Sequence, residues 1–278
     1  KSAVNSSGYV YSGGDMRNFT ILSLLSLSFM FGQDCPDEMD GFYCTTDLNF
    51  LQSFLDLNDC IAVDDPLLLG SQEWEDGRLV YFYLNGDDHQ HNTSNCEEYQ
   101  DGEEVSTLTN IPENIGNLSE LRQLGIEKTG TESIPEGLCE LYNLTNIWLD
   151  HHEFASLPEC IGNLTNLTRL TLNSNELHSL PESIGNLISM HTLTITGTQI
   201  TTLPDIGNLS SLEYLWMHSN PLLESLPESM GNLSSLIRMS MGGGNIASLP
   251  ESIGNLSNLV ELSLSGNALT SLPESFVN

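Results

Sequence analysis

The phrase L-x-x-L-x-L opens at Leu121, Leu144, Leu167, Met190, Leu212, Leu236 and Leu259, with spacings of 23, 23, 23, 22, 24 and 23 residues. Seven phased copies at so short a period leave few options. Each unit is one supersecondary element that cannot bury its apolar edge alone, so consecutive units must stack into a solenoid. Both departures from 23 have visible causes. The unit ending L-P-D-I-G-N-L lacks a residue that L-P-E-S-I-G-N-L carries, and Asn220-Pro221-Leu222-Leu223 contains an extra one.

The spacing inside one unit assigns its parts. Apolar residues at positions 1, 4 and 6 point inward from a short strand, and positions 3, 5 and 7 lie on its other face. Asn175, Asn220 and Asn267 stand at position 9, where an inward amide can bond backbone groups of the turn and of the next coil; elsewhere that position is Thr129, His152, Thr198 or Gly244. Leu-Pro fixes the return. Pro followed by Glu or Asp reads as the start of a short helix, with the carboxylate at its positive end. I-G-N-L then brings two apolar residues back to the core. The fold class that follows is an α/β solenoid, with a parallel β-sheet on the concave face and short helical or irregular segments on the convex side.

Leu79 to Leu84 (L-V-Y-F-Y-L) has the same form as the repeat strands and lies 42 residues before Leu121, which is one coil plus a 19-residue insertion at about 86–105 carrying Cys96. Asp47 to Leu57 sets Leu48, Leu51, Phe54 and Leu55 on one helical face, which would cover the end of the first coil. The chain therefore divides into an upstream segment 1–32, an N-terminal cap 33–78 and a solenoid 79–278. From Met16 the upstream segment reads as a secretory signal peptide, with Arg17 as its basic residue, Ile21 to Phe31 as its apolar stretch and a cut before Gln33. Eleven apolar residues are too few to span a bilayer as a helix. Six cysteines (Cys35, Cys44, Cys60, Cys96, Cys139 and Cys160), without a C-x-x-C pair, fit disulfides in an oxidising compartment. Removing one period from Cys160 places it at position 137, two residues from Cys139, so these two are candidates to bridge adjacent coils.

The phrase L-x-x-L-x-L-x-x-N-x-L-x-x-L-P-x-x-I-G-N-L resembles the 23-residue leucine-rich-repeat class, typified by the Ras-group-related proteins of plants and their animal scaffold relatives. The likeness runs from Leu79 to Asn278. The cap phrase P-L-L-L-G-S-Q-E-W-E-D-G-R-L (Pro66 to Leu79) is similar to caps of secreted microbial repeat proteins. What the resemblance implies is recognition of a protein or other ligand on the concave sheet.

Charge narrows the partners. Lys and Arg number 7 against 38 Asp and Glu, a formal net charge of −31. Nucleic acid and anionic membrane both need clustered cations, so neither is expected as a partner. No residue spacing suggests a catalytic triad or a phosphate loop, and Gly242-Gly243-Gly244 lies at strand-to-turn positions inside a coil. An enzyme and a cofactor are not expected. Asp34, Asp37, Glu38 and Asp40, and likewise Asp87, Asp88, His89 and His91, do not have the spacing of a calcium loop and read as solvated loops.

The candidate ligand site is the concave face. Positions 3, 5 and 7 carry Trp148, Arg169, Tyr214, Trp216, His218 and Arg238, and aromatics beside arginine are typical of recognition hot spots. Glu113, Glu136, Glu159, Glu182, Asp205, Glu228, Glu251 and Glu274 follow the repeat prolines as an acidic ladder on the other side. Asn92, Asn117, Asn143, Asn163, Asn166, Asn208, Asn232 and Asn255 open N-x-[ST] and are glycosylation candidates, as are Asn5 and Asn18 upstream. The expected function is non-enzymatic recognition or adhesion, secreted or at the cell surface, of a protein, peptide or glycan. A structural subunit of a surface layer or filament and a cytosolic signalling scaffold are the alternatives. Leu262, Leu264, Leu269, Leu272 and Phe276 are expected on an uncovered end, through which the chain continues or self-associates end to end, with Lys1 to Asp15 as a possible docking element.

Overall fold

The computed structural model describes residues 43–58, 66–86 and 110–277, and short strand pairs elsewhere. Residues 1–33 and 34–278 form two separate units. In the first, Ala3–Val4 pairs antiparallel with Val10–Tyr11. The expected signal segment 16–32, Asn5, Asn18, Cys35, Cys60, Cys96, Asn92, and the acidic residues of both loops apart from Asp40 lie outside the described residues.

In the second unit nine described strands form one sheet. We number them β1 (Ser71–Glu75), β2 (Arg78–Asn85), β3 (Gln123–Glu127), β4 (Asn146–Trp148), β5 (Arg169–Thr171), β6 (Thr192–Thr194), β7 (Tyr214–Trp216), β8 (Arg238–Ser240) and β9 (Glu261–Ser263). β1 and β2 are antiparallel; from β2 to β9 every pairing is parallel and follows chain order. The register repeats without slip. Asn146 faces Arg169, Arg169 faces Thr192, Thr192 faces Tyr214, and Tyr214 faces Arg238. A 23-residue period with inward leucines leaves no other register, because a one-residue slip would turn every apolar side chain outward. Tyr81 of β2 faces Gln123 of β3 across the intervening insertion, part of which forms a hairpin, Glu97–Gln100 with Glu103–Ser106.

Behind the sheet the inward residues, among them Leu124, Leu170, Leu193, Leu215 and Met239, are buried in one continuous core. Full burial of one such side chain stabilises by roughly 1.5–3 kcal/mol. The returns are five-residue 3₁₀ turns, for example Glu182–Asn186 and Glu228–Asn232. The repeat proline stands one residue before each of these turns, in extended conformation (Pro181 at φ −65°, ψ 149°), rather than at a first helical position. The coil at Asp205, one residue short, makes a plain turn instead. A glycine recurs here because adjacent returns nearly touch: a Cβ at Gly116 would lie 2.8 Å from the Gly137 carbonyl oxygen.

Position 9 forms an inner ladder. Asn175 accepts the His152 backbone N–H at 2.8 Å and donates to the Leu149 carbonyl at 2.8 Å; Asn220 bonds equivalent groups, and Asn267 donates to the Met241 carbonyl but accepts the Ile246 N–H, two residues further along its coil. His152 fills the same role with its ring, whose Nε2 lies 2.7 Å from the Ile126 carbonyl. Position 8 is left-handed in each of the seven coils from Leu121 onward, occupied by Lys128, His151, Ser174 and Ser219 as well as by Gly197, Gly243 and Gly266. Gly243 in the triple-glycine run thus has a backbone reason, φ +74°. Cys139 and Cys160 are joined in a disulfide with α-carbons 5.6 Å apart, and Cys44 is disulfide-bonded too.

Helix α1 (Thr45–Leu57) buries Asp47, Phe50, Leu51, Phe54 and Leu55. Leu48, expected on the inner face, is only half-buried, and Phe50 takes its place, in edge-to-face contact with Phe82 at 5.8 Å. Arg78 meets Asp47 through two hydrogen bonds, Nε at 3.0 Å and Nη2 at 3.2 Å, and the Leu79 N–H donates to the same carboxylate at 2.7 Å. In the last coil Leu262, Leu264 and Leu269 pack partly buried against the core, whereas Leu272 and Phe276 are exposed.

Candidate functional site: the concave sheet face

Alternation along each strand puts positions 3, 5 and 7 on the solvent side of the sheet. The parallel register then stacks them into three rows across the strands. The structure brings Tyr214, Trp216 and His218 together on and just after β7. Their rings are nearly parallel, Tyr214 to Trp216 at 6.5 Å and 12°, Trp216 to His218 at 6.4 Å and 15°. All three rings of this aromatic plate are half-buried, each partly packed on its surroundings and partly open to solvent. Arg238 stands beside Tyr214 in the register and is held by Glu261 at 3.3 Å. Arg169 is exposed and makes no ion pair among the described residues. Trp148 is not part of the plate: it lies in the row of Trp216 but three strands away, about 14 Å at the spacing of a sheet.

Between the two tryptophans the same row carries Thr171 and Thr194. Below Trp148 in its own coil, Asp150 is tied into the next coil. It accepts the Asn173 N–H at 2.7 Å, while the Asn173 side-chain oxygen accepts the Thr196 N–H at 2.9 Å. These bonds fix polar side chains that would otherwise move freely on a surface.

Tyr81 and Tyr83 also face this side and extend the rows toward the cap. The Tyr83 ring packs against Gly125, where an added Cβ would collide with it. Its hydroxyl donates to Glu127 at 2.8 Å. Burial and that hydrogen bond push its pKa up to about 12. Reading the concave rows only from Leu121 onward misses both tyrosines. The signal that finds them is the L-V-Y-F-Y-L phrase itself, whose third and fifth positions they occupy.

The remaining candidates are elsewhere. All eight acidic-ladder residues are exposed. Glu228 and Glu251 also accept backbone N–H groups of Ser252 and Ser275 in the following coils, at 3.4 and 3.3 Å. Asn117, Asn143, Asn163, Asn166, Asn208, Asn232 and Asn255 are exposed, and the amides of Asn143 and Asn166 donate to backbone carbonyls of the preceding coil, both at 2.8 Å. Among the described residues no group of His, Cys, Asp or Glu is placed to hold a metal ion, and no helix is long and apolar enough to cross a membrane.

This is the architecture of a leucine-rich-repeat solenoid. Residues 166–187, 211–233 and 258–278 match the family model described as Leucine Rich Repeat. No curated protein matches the chain. Among solved structures, a plant ice-binding protein is 21% identical, with a TM-score of 0.58 over 82% of this chain and 73% of that one. The ectodomain of the plant membrane receptor kinase GASSHO1/SCHENGEN3 from Arabidopsis thaliana, in complex with CASPARIAN STRIP INTEGRITY FACTOR 2, is 29% identical over 60% of this chain, with a TM-score of 0.45. The plant peptide hormone receptor RGFR1, in complex with RGF2, is 30% identical over 60%, with a TM-score of 0.46. The chain spans 24% and 32% of those two receptors.

Proposed function

We propose that this protein is a non-enzymatic recognition module that works outside the cell and binds a protein, peptide or glycan on its concave sheet. The observation that carries the reading is the plate of Tyr214, Trp216 and His218. Aromatic residues held half-open on a rigid surface offer large contact area at little cost in side-chain entropy. The sheet beneath holds them in place, so binding needs no rearrangement of the backbone. The extracellular setting is supported by the Cys139–Cys160 disulfide and the bonded Cys44, since such bonds persist in oxidising compartments.

The test is a combined peptide and glycan array probed with the protein and with a Tyr214→Ala/Trp216→Ala variant. Ligands of the concave face should lose about 2 kcal/mol or more of binding free energy in the variant. Unchanged binding together with unchanged thermal stability would remove the concave face from consideration.

A further inference from the structure

The three outward rows from β2 to β9 contain aromatic, hydroxyl, amide, charged and glycine residues, and not one aliphatic side chain. That composition discriminates between ligands. The buried centre of a protein or peptide interface matches apolar anchors with apolar pockets. Here the rows offer rings separated by hydroxyls and amides instead. Flat rings beside polar side chains suit a ligand that is itself apolar on its faces and polar on its edges. A pyranose is such a group: its axial C–H bonds pack on an aromatic face, and its equatorial hydroxyls both donate and accept.

The spacing agrees. Adjacent strands are about 4.8 Å apart, close to the length of one pyranose unit in an extended chain. Trp148 and Trp216 are three strands apart in one row, with Thr171 and Thr194 between them. Tyr83, packed against Gly125, adds a third ring in that row, two strands before Trp148. Charge fits an uncharged chain: the row of Trp148, Thr171, Thr194 and Trp216 carries no charged side chain, and the net charge of −31 opposes an anionic one. An anionic polymer would meet repulsion along the groove, with Arg169 as the exposed guanidinium between the tryptophans.

Resting on the concave-face reading above, we infer that the ligand is a neutral oligosaccharide lying across the strands, stacked on Trp148 and Trp216 three sugars apart. Its hydroxyls reach Thr194 between those rings and the Asp150 carboxylate, to which the buried Thr171 hydroxyl donates at 3.3 Å. Shorter fragments cannot span both rings, so affinity climbs steeply once the chain is long enough to touch the two together.

Isothermal titration and tryptophan fluorescence on the disulfide-intact protein test this, with neutral hexasaccharides of β-1,4-glucose, β-1,3-glucose, β-1,4-N-acetylglucosamine, β-1,4-mannose and β-1,4-xylose as probes. At least one should bind, with a disaccharide of the same sugar weaker by roughly tenfold or more. Trp148→Ala and Trp216→Ala should each weaken it by roughly tenfold, Trp216→Tyr should restore most of the loss, and salt should change little. Three results overturn the inference: none of the hexasaccharides binds; binding is indifferent to both tryptophans; or polygalacturonate binds tighter than every neutral probe and is lost with Arg169→Ala. If the sugars fail while array peptides bind and depend on Trp216, the concave-face reading stands and only the ligand class is wrong. If neither class binds, both fall.

Discussion

Ser183, Ser252 and Ser275 each donate a hydroxyl to the glutamate carbonyl of the coil before, to Glu159, Glu228 and Glu251. Ser229 occupies the same position, yet its hydroxyl is buried without a partner. The cause is the shortened coil before it, where Pro204-Asp205 leads into a turn and not a 3₁₀ segment. Ser252→Ala should therefore cost about 1 kcal/mol in urea denaturation, while Ser229→Ala should cost nothing or stabilise slightly; equal losses would contradict this account. The missing residue was visible in the sequence, but its orphaned hydroxyl was not, because the acceptor belongs to the neighbouring coil. His152 is a similar case. In the sequence it interrupts the asparagine ladder; in the structure its ring reaches the carbonyl that asparagine serves elsewhere. Burial lowers its pKa below 6.5, against the smaller opposing effect of its backbone hydrogen bonds. The unfolded chain then binds the proton more readily, so this residue's stabilising share is present above pH 6.5 and lost as pH falls toward the folded value. A His152→Asn variant should lose less stability than the parent between pH 7.5 and 5. Parallel losses in the two proteins would mean that folding leaves the His152 pKa where it stands in the unfolded chain.

At the level of elements, α1 shows how an acidic residue can hide a helix's inner face. Asp47, Phe50, Leu51, Phe54 and Leu55 follow the i, i+3, i+4, i+7, i+8 pattern of one buried stripe. Counting only apolar residues rotates the stripe onto Leu48. Asp47 belongs to it because Arg78, itself 4% exposed, and the Leu79 N–H supply its hydrogen bonds. The pair ties the first turn of the helix to the first residues of β2. Removing one partner leaves a buried charge uncompensated, so Arg78→Met should destabilise by about 3–5 kcal/mol. An Asp47→Asn/Arg78→Met double variant should lose less than the two single variants summed, because the stranded charge is gone. Strict additivity in a double-mutant cycle would show that the two residues act independently. The repeat strands, by contrast, were legible throughout, since inward leucines at a constant period admit one register. The tyrosines of β2 were separable from the others only by the insertion that divides them from β3.

Across the whole molecule, one sign of charge prevails. Of the seven Lys and Arg residues, Arg78 is buried against Asp47, and Arg122 and Arg238 pair with Glu75 and Glu261 at 2.8 and 3.3 Å. The exposed ladder from Glu113 to Glu274 has no comparable set of cations, and stacking brings its carboxylates to successive coils. The sequence displays the ladder plainly. What it does not display is the compensation, the hydrogen bonds by which Glu228 and Glu251 receive N–H groups of the next coil. These favour each carboxylate locally but leave the repulsion between neighbours. Like charges about 5 Å apart lie inside a screening length of about 10 Å at 0.1 M salt, which shrinks to about 3 Å at 1 M. Exposed pairs repel by a few tenths to about 1 kcal/mol each, and a solenoid sums such nearest-neighbour contributions along its length. Raising NaCl from about 10 mM to about 500 mM should therefore raise Tm by several degrees. Tetramethylammonium chloride should do the same, since screening needs no cation that fits a site. A flat or falling Tm would mean that the ladder's repulsion is already offset. A rise confined to small metal cations would mean that specific binding, not screening, relieves it.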